Sequence, residues 1–399
     1  MSTLRGRPAA AAIAVVAALA AAELAVLLLR PRTGILDPLP VDAADHFTPA
    51  QLQRAEDYRG PQPALLVTSL ALQAGFLILL LRRPQRLPRR ALAAGAVVSA
   101  GLAAVTLPIS AIARQRGVDV GLITQSWGGW AGDVAKSVGI GAVLAGAGAA
   151  LAALLARRFG RRWWVPGSAA VVLIGAAFLA AGPVVLDPVF NRFTPLPEGK
   201  LRSDVVALAE RAGVEVGEVY AMDASRRTTA ANAYVTGLGA SKRVVLYDTL
   251  IESMPPDQVR LVVAHELAHV RHADLRRGLL YLLLVAPLAV LAVTRLTERW
   301  AGDDPRRWVP ALALALGVVA TPVGMVSNQL SRTVERAADS YALELTADPD
   351  AFVAFQREIA LRNVSDPDPP GWRHALLGTH PTTVQRIGIA EAYASTASR

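Results

Sequence analysis

The apolar residues of this 399-residue chain are gathered into blocks long enough to cross a bilayer. Seven stretches stand out, at about 9–29, 64–81, 91–111, 137–155, 165–185, 278–293 and 309–326. Each is long enough, or nearly so, to span about 30 Å of hydrocarbon. Inside lipid a backbone must satisfy its own hydrogen bonds, so these stretches are expected to be helices. Hydrophobic residues make up 53% of the chain and charged residues only 18%, an imbalance rare in soluble domains. The formal charge of +9 does not point to nucleic acid. Much of the arginine lies beside apolar blocks, as with Arg82, Arg83, Arg86, Arg89 and Arg90, where lipid headgroups favour it. No basic helix or RNA-binding signature accompanies it. The expected partner is therefore the lipid bilayer, with no nucleic acid. Arg5 and Arg7 before the first block imitate a signal peptide. That block is longer than a usual signal core and ends in Leu27, Leu28, Leu29 and Arg30, so it reads as a retained anchor. Glu23 within it is expected to face a protein cavity or to lie near the bilayer edge.

Two stretches, 187–277 and 327–399, are mixed in polarity yet keep apolar periodicity. The first opens with a loop at 191–195 and continues with a helix at 200–212. Strands are expected near 216–222 and 244–247, where β-branched and aromatic residues concentrate. Helices follow at 257–272 and, beyond the last two spans, at 331–345. The expected organisation is a membrane region over 1–186 with five transmembrane helices, then a second unit over 187–399. A transmembrane hairpin at about 278–326 interrupts that unit.

The strongest local signal is His265-Glu266-Leu267-Ala268-His269. On a helix, residues four apart share a face, so two imidazoles converge on one point. Glu266 is turned about 100° away, badly placed to ligate but able to take a proton from an attacking water. With six His and thirteen Glu, about 0.003 random matches are expected, so a chance pair of solvated histidines is the weaker reading. The chain has no cysteine, so a metal here must use His, Asp or Glu. A catalytic zinc needs three protein ligands and one open position. His272 would crowd the ion and reads as a supporting or surface residue. Glu335 is the better third ligand, with Asp339 on the same helix face accepting the N–H of a ligating imidazole. Ala337 and Ala338 between them allow close helix approach. The cofactor predicted is one Zn2+ per chain.

This arrangement is the logic of the H-E-x-x-H zinc protease motif, and a peptidase must also hold a peptide and stabilise an oxyanion. Asn232, Ala233 and Tyr234 begin what reads as an edge strand, able to pair with an extended substrate. The alternative is an ordinary strand in a small sheet. Near the C-terminus, Thr379-His380-Pro381 leads into a helix carrying Arg386. His380 is a candidate donor to the tetrahedral intermediate, although a lone His before Pro is more often structural.

Together these residues resemble the M48 metallopeptidases, closest to the CAAX prenyl protease 1 branch. The resemblance rests on the His265–His269 motif, Glu335 with Asp339, the Asn232-Ala233-Tyr234 strand and His380-Pro381. Phe190 to Leu196, Gly237 to Leu250, a loop at Gln125 to Trp130, Phe47-Thr48-Pro49 and Tyr58-Arg59 are similar to that branch as well. It implies a mainly α, polytopic membrane fold with about seven helices around an intramembrane chamber, and an α+β, gluzincin-like zinc metalloprotease domain. It implies that Asn232 and Ala233 bind the substrate strand and that His380 assists catalysis. Cleavage of prenylated proteins is implied for eukaryotic relatives. Heavy Ala, Arg and Gly usage points to a GC-rich, bacterial genome, and so to a plasma-membrane enzyme acting on membrane-associated or misfolded polypeptides. A monomer is expected.

Two expectations about sidedness conflict. The arginine-rich loops 82–90, 157–162 and 295–307 fall on one side of a seven-span arrangement, which the positive-inside rule makes cytoplasmic. The resemblance implies that the zinc domain, on the other side, is cytosolic. Two other functional classes compete with the endopeptidase. A site-2-type intramembrane protease would bury its His motif in an apolar span and use an Asp ligand, whereas this motif helix is amphipathic. A transporter or inert scaffold would have no need of Glu266.

Overall fold

The computed structural model describes residues 8–237 and 242–397. Arg5 and Arg7, and the 238–241 part of the Gly237-to-Leu250 similarity, lie outside them. The first half holds helices α1 (Pro8–Leu29), α2 (Ala43–His46), α3 (Pro49–Arg59), α4 (Gln62–Arg82), α5 (Ala91–Asp119), α6 (Trp127–Phe159), α7 (Trp164–Val185) and α8 (Asp187–Phe190). Strand β1 (Phe193–Pro195), helix α9 (Lys200–Arg211) and strands β2 (Glu218–Met222), β3 (Ala233–Thr236) and β4 (Arg243–Tyr247) follow. The rest is helical: α10 (Asp248–Ser253), α11 (Pro256–Arg271), α12 (Asp274–Ala301), α13 (Trp308–Thr346), α14 (Pro349–Arg362), α15 (Gly371–Leu377) and α16 (Thr383–Ala397).

Among the described residues, seven helices are long and apolar enough to cross a membrane. They are α1, α4 (continuing from α3), α5, α6, α7, α12 and α13. Most run well past the apolar windows. Helices α5, α7, α12 and α13 each carry an internal proline, at Pro108, Pro183, Pro287 and Pro322. Membrane helices tolerate such prolines because neighbours take up the freed carbonyls. Glu23 is held by protein, accepting a hydrogen bond from Gln329 Nε2 at 3.0 Å.

Three sequence expectations need correction. The helix expected at 331–345 is not separate: α13 runs unbroken for 39 residues from the last span to Thr346. No glycine or proline follows Gly324 in it, so nothing ends the helix where the apolar block stops. The 191–195 stretch is not all loop, because Phe193–Pro195 pairs antiparallel with β2. The Gln125-to-Trp130 loop is mostly the first turn of α6, where Ser126 Oγ accepts from Gly129 N at 3.1 Å.

The sheet runs β1-β2-β4-β3, with β2 and β4 parallel and the outer pairs antiparallel. β3 is therefore an edge. Behind the sheet, Val244, Leu246, Leu261, Leu267, Leu343, Phe352 and Ile389 form one buried core that joins β4, α11, α13, α14 and α16. The segment after α1 is strapped across this core. Leu36 N donates to Ser340 Oγ at 2.9 Å, Asp37 pairs with Arg336 at 2.6 Å, and Leu39 N donates to Gly388 O at 3.0 Å. A Cβ at Gly388 would sit 2.1 Å from the Leu39 carbonyl oxygen. Gly388→Ala is expected to displace the strap and lower the thermal midpoint in detergent, at a cost of about 1–3 kcal/mol. Gly75→Ala, at a position with nothing within 4 Å, is the control and should not lower it.

Candidate metal centre

Helix α11 presents His265 and His269 one turn apart, their rings edge to face with centroids 4.9 Å apart. Helix α13 crosses beside it. Ala337 and Ala338, both buried, leave room for that approach and carry Glu335 to the two rings. His265 Nε2 lies 3.1 Å from Glu335 Oε2, 3.3 Å from His269 Nε2, and His269 Nε2 lies 3.6 Å from Glu335 Oε1. Donors about 2.1 Å from a tetrahedral ion sit about 3.4 Å from one another. The three spacings bracket that value, and the set of two imidazoles and one carboxylate is a catalytic-zinc set. Two imidazole nitrogens and a carboxylate aimed at one point suit a divalent cation.

The outer nitrogens are also engaged. His265 Nδ1 meets Asp339 Oδ1 at 2.9 Å, and His269 Nδ1 meets Asp274 Oδ2 at 2.9 Å. Each carboxylate can fix its ring so that Nε2 points inward. Asp339 is itself fully buried and gripped by Arg386, Nε to Oδ2 at 2.8 Å and Nη2 to Oδ1 at 2.5 Å. Asp274 is paired with Arg277. Burial pulls the His265 imidazolium down, but Asp339 and Glu335 outweigh it and hold that group at about 10. The carboxylates thus demand a positive charge between them. His269 is pushed the other way, by burial and by the charge on His265.

Glu266 points into a cavity of about 980 Å3 that His265, His380, Arg386, Asn232 and Tyr247 also line. Burial raises its carboxyl above the ordinary range, against the pull of the two histidines. His380 Nε2 lies 3.4 Å from Glu335 Oε2, with Thr379 Oγ1 2.9 Å from its Nδ1. Asn232 immediately precedes β3, its Oδ1 accepting from Ala233 N at 2.9 Å. Ala233 is buried in the ladder opposite Leu246. His272 stands away from the cluster, edge-on to Tyr341 at 5.4 Å.

The geometry brings His265, Glu266, His269, Glu335, Asp339 and His380 together, with Asn232 on the cavity wall. Sequence reasoning missed the roles of Asp274 and Arg386. Asp274 carries a signal only in hindsight, five residues past His269 across a helix break. Arg386 was visible only as a cation on a C-terminal helix.

Such a site on seven membrane helices defines a membrane-embedded metalloendopeptidase, and comparison with known proteins gives the family. Residues 195–394 match Peptidase family M48, and the chain belongs to it. It is 31% identical over 297 residues to an uncharacterized metalloprotease of Bacillus subtilis, YhfN, covering 72% of this chain and 70% of that protein. It is 31% identical over 221 residues to a CAAX prenyl protease 1 homolog of Oryza sativa, covering 52% of this chain and only 51% of the relative. The crystal structure of Ste24p from S. mikatae shares the fold, with TM-score 0.78 at 19% identity, across 96% of this chain and 98% of that one.

Asp274→Asn keeps the shape of the His269 partner but weakens its pull on the ring. Metal affinity, measured by competition with a chromophoric chelator, is expected to fall about 10–100-fold. Unchanged affinity would show the contact to be incidental.

Proposed function

We propose that the metal is zinc, held by His265, His269 and Glu335, and that Glu266 is the general base of peptide-bond hydrolysis. The observation that carries this reading is the meeting of three donor atoms, all within 4.8 Å of one another, beside a carboxylate that is not among them. Bound zinc supplies Lewis acidity, polarising the scissile carbonyl and easing the ionisation of water. The protein's own groups do the rest. Glu266 takes a proton from the attacking water and passes it to the departing amine; its raised affinity for protons suits the first half of that task. Asp339 and Asp274 hold the two imidazoles in register. His380 donates to the developing oxyanion, a contribution of several kcal/mol in comparable sites. Asn232 and Ala233 start the free edge of β3, along which an extended substrate adds as a further strand.

We infer a membrane-associated or misfolded polypeptide as substrate and a bacterial plasma membrane as the location. Pro63 and Leu66 of the membrane helix α4 help line the cavity, which favours a chain presented at the bilayer. The plant relative's name supports a second reading, processing of prenylated C-termini, though the chain spans only about half of that relative. The unit 187–399, with the hairpin at 278–326 inserted, works as one because its donors come from both sides of the hairpin. A monomer suffices, since one chain supplies every group. The arginine-rich loops favour an outward-facing centre, the family resemblance an inward-facing one.

Glu266→Gln should retain stoichiometric zinc by plasma emission while peptide cleavage falls about 10²–10⁴-fold. Cleavage at the wild-type rate would end the proposal. Sequencing new C-termini in membranes carrying active or Glu266→Gln enzyme identifies the substrates and separates the two substrate readings. His380→Ala should lower kcat about 10²–10³-fold with KM little changed.

A further inference from the structure

The end of the bundle remote from the metal holds a second cavity that peptide hydrolysis leaves unused. Its volume is about 400 Å3, within the range of ligand-sized pockets. Helices α5, α6, α7, α12 and α13 enclose it, and Ser99 and the Trp163 indole are the only polar side chains in its lining. Such a lining offers water too few hydrogen bonds to hold it. Its walls come from helix ends that adjoin the three arginine-rich loops. Trp163 follows Arg161 and Arg162, Val309 follows Arg306 and Arg307, and Gly95 lies just over a turn beyond Arg90.

The loops come together at this end. The Trp163 and Trp308 rings approach to 6.2 Å, and Leu87 packs in one cluster with Val309. Over 82–90, 157–162 and 295–307 the loops and the helix ends that flank them carry thirteen arginines against Glu298, Asp303 and Asp304. Among the described residues only Arg295 of these has a carboxylate partner, Glu298 at 3.2 Å. The Nε of Arg307 is buried with no hydrogen-bond partner. An apolar slot at membrane depth is filled by hydrocarbon, and arginines on the segments that adjoin its walls favour hydrocarbon attached to negative charge.

We propose that this is a binding site for an anionic phospholipid, with an acyl chain in the slot and the phosphate headgroup on the loop arginines. It is distinct from the peptidase centre: along α12, Val290 in its wall lies about 25 Å from Asp274 at the metal end.

Gly148 lines the slot, and a Cβ added there meets nothing within 4 Å. Gly148→Leu therefore fills the space without forcing helices apart. The full chain, reconstituted in nanodiscs of equal phosphatidylglycerol and phosphatidylcholine and released for native mass spectrometry, should retain phosphatidylglycerol about fivefold over phosphatidylcholine. Gly148→Leu should abolish most of that retention. Arg158→Gln, Arg161→Gln and Arg162→Gln combined should bring the two lipids close to parity while a lipid is still retained. Excess glycerol 3-phosphate should not displace the lipid. The proposal is overturned by phosphatidylglycerol retained equally by Gly148→Leu, by no preference between the lipids in the wild type, or by displacement with glycerol 3-phosphate. If Gly148→Leu lowers the thermal midpoint, Ala313→Leu at another wall of the slot replaces it and is read the same way.

Discussion

The approach of α13 to α11 is the contact on which the rest of the site depends. Glu335 reaches His265 across 70 positions of sequence, and no local preference could bring the two together. Two alanines make the approach sterically possible, and the buried core behind α11 makes it stable. Three groups that would repel or compete for protons in isolation are thereby held at ligand spacing. The stabilising response comes from outside the trio. Arg386 neutralises Asp339, which is completely buried, and Asp339 in turn commits one nitrogen of His265. A buried carboxylate without that arginine would be costly, and a histidine without that carboxylate would be free to turn.

How much of this could be read from the chain depends on how local each signal is. The spans were legible because hydrocarbon thickness imposes a length on them. The His265 and His269 pair was legible because an i, i+4 spacing is a geometric statement in itself. Glu335 and Asp339 were legible as a spaced acidic pair flanking small residues, once the histidines asked for a third ligand. Asp274 was not, because its contact depends on Ala273 adopting a left-handed turn with φ of 55° between two helices, an uncommon conformation for that residue. Arg386 was not, because its contact joins segments 47 and 121 residues apart. The extent of α13 was misread because a change in polarity marks a change of solvent, and a helix is indifferent to solvent when no residue breaks it.

The same bundle gives its two ends different characters. At the metal end, charge is paired, buried and aimed at single atoms. At the other end, arginines crowd three short loops and their flanking helix ends, with few acidic partners, beside apolar space. The first arrangement suits chemistry on one bond, the second a mobile anionic surface. The membrane helices contribute to both, since α4 walls the peptidase cavity while α5 to α7 wall the apolar slot.

Because α13 is unbroken, the number of residues in its lipid-spanning part also sets the angular position of Glu335. Deleting or inserting one residue there would turn the carboxylate by about 100° and move it about 1.5 Å along the axis, out of reach of both imidazoles. A soluble linker between span and ligand would absorb such a change. Here none exists, so the span's length is phase-locked to the chemistry, and adaptation to a thicker or thinner bilayer must come through tilt or through the other helices.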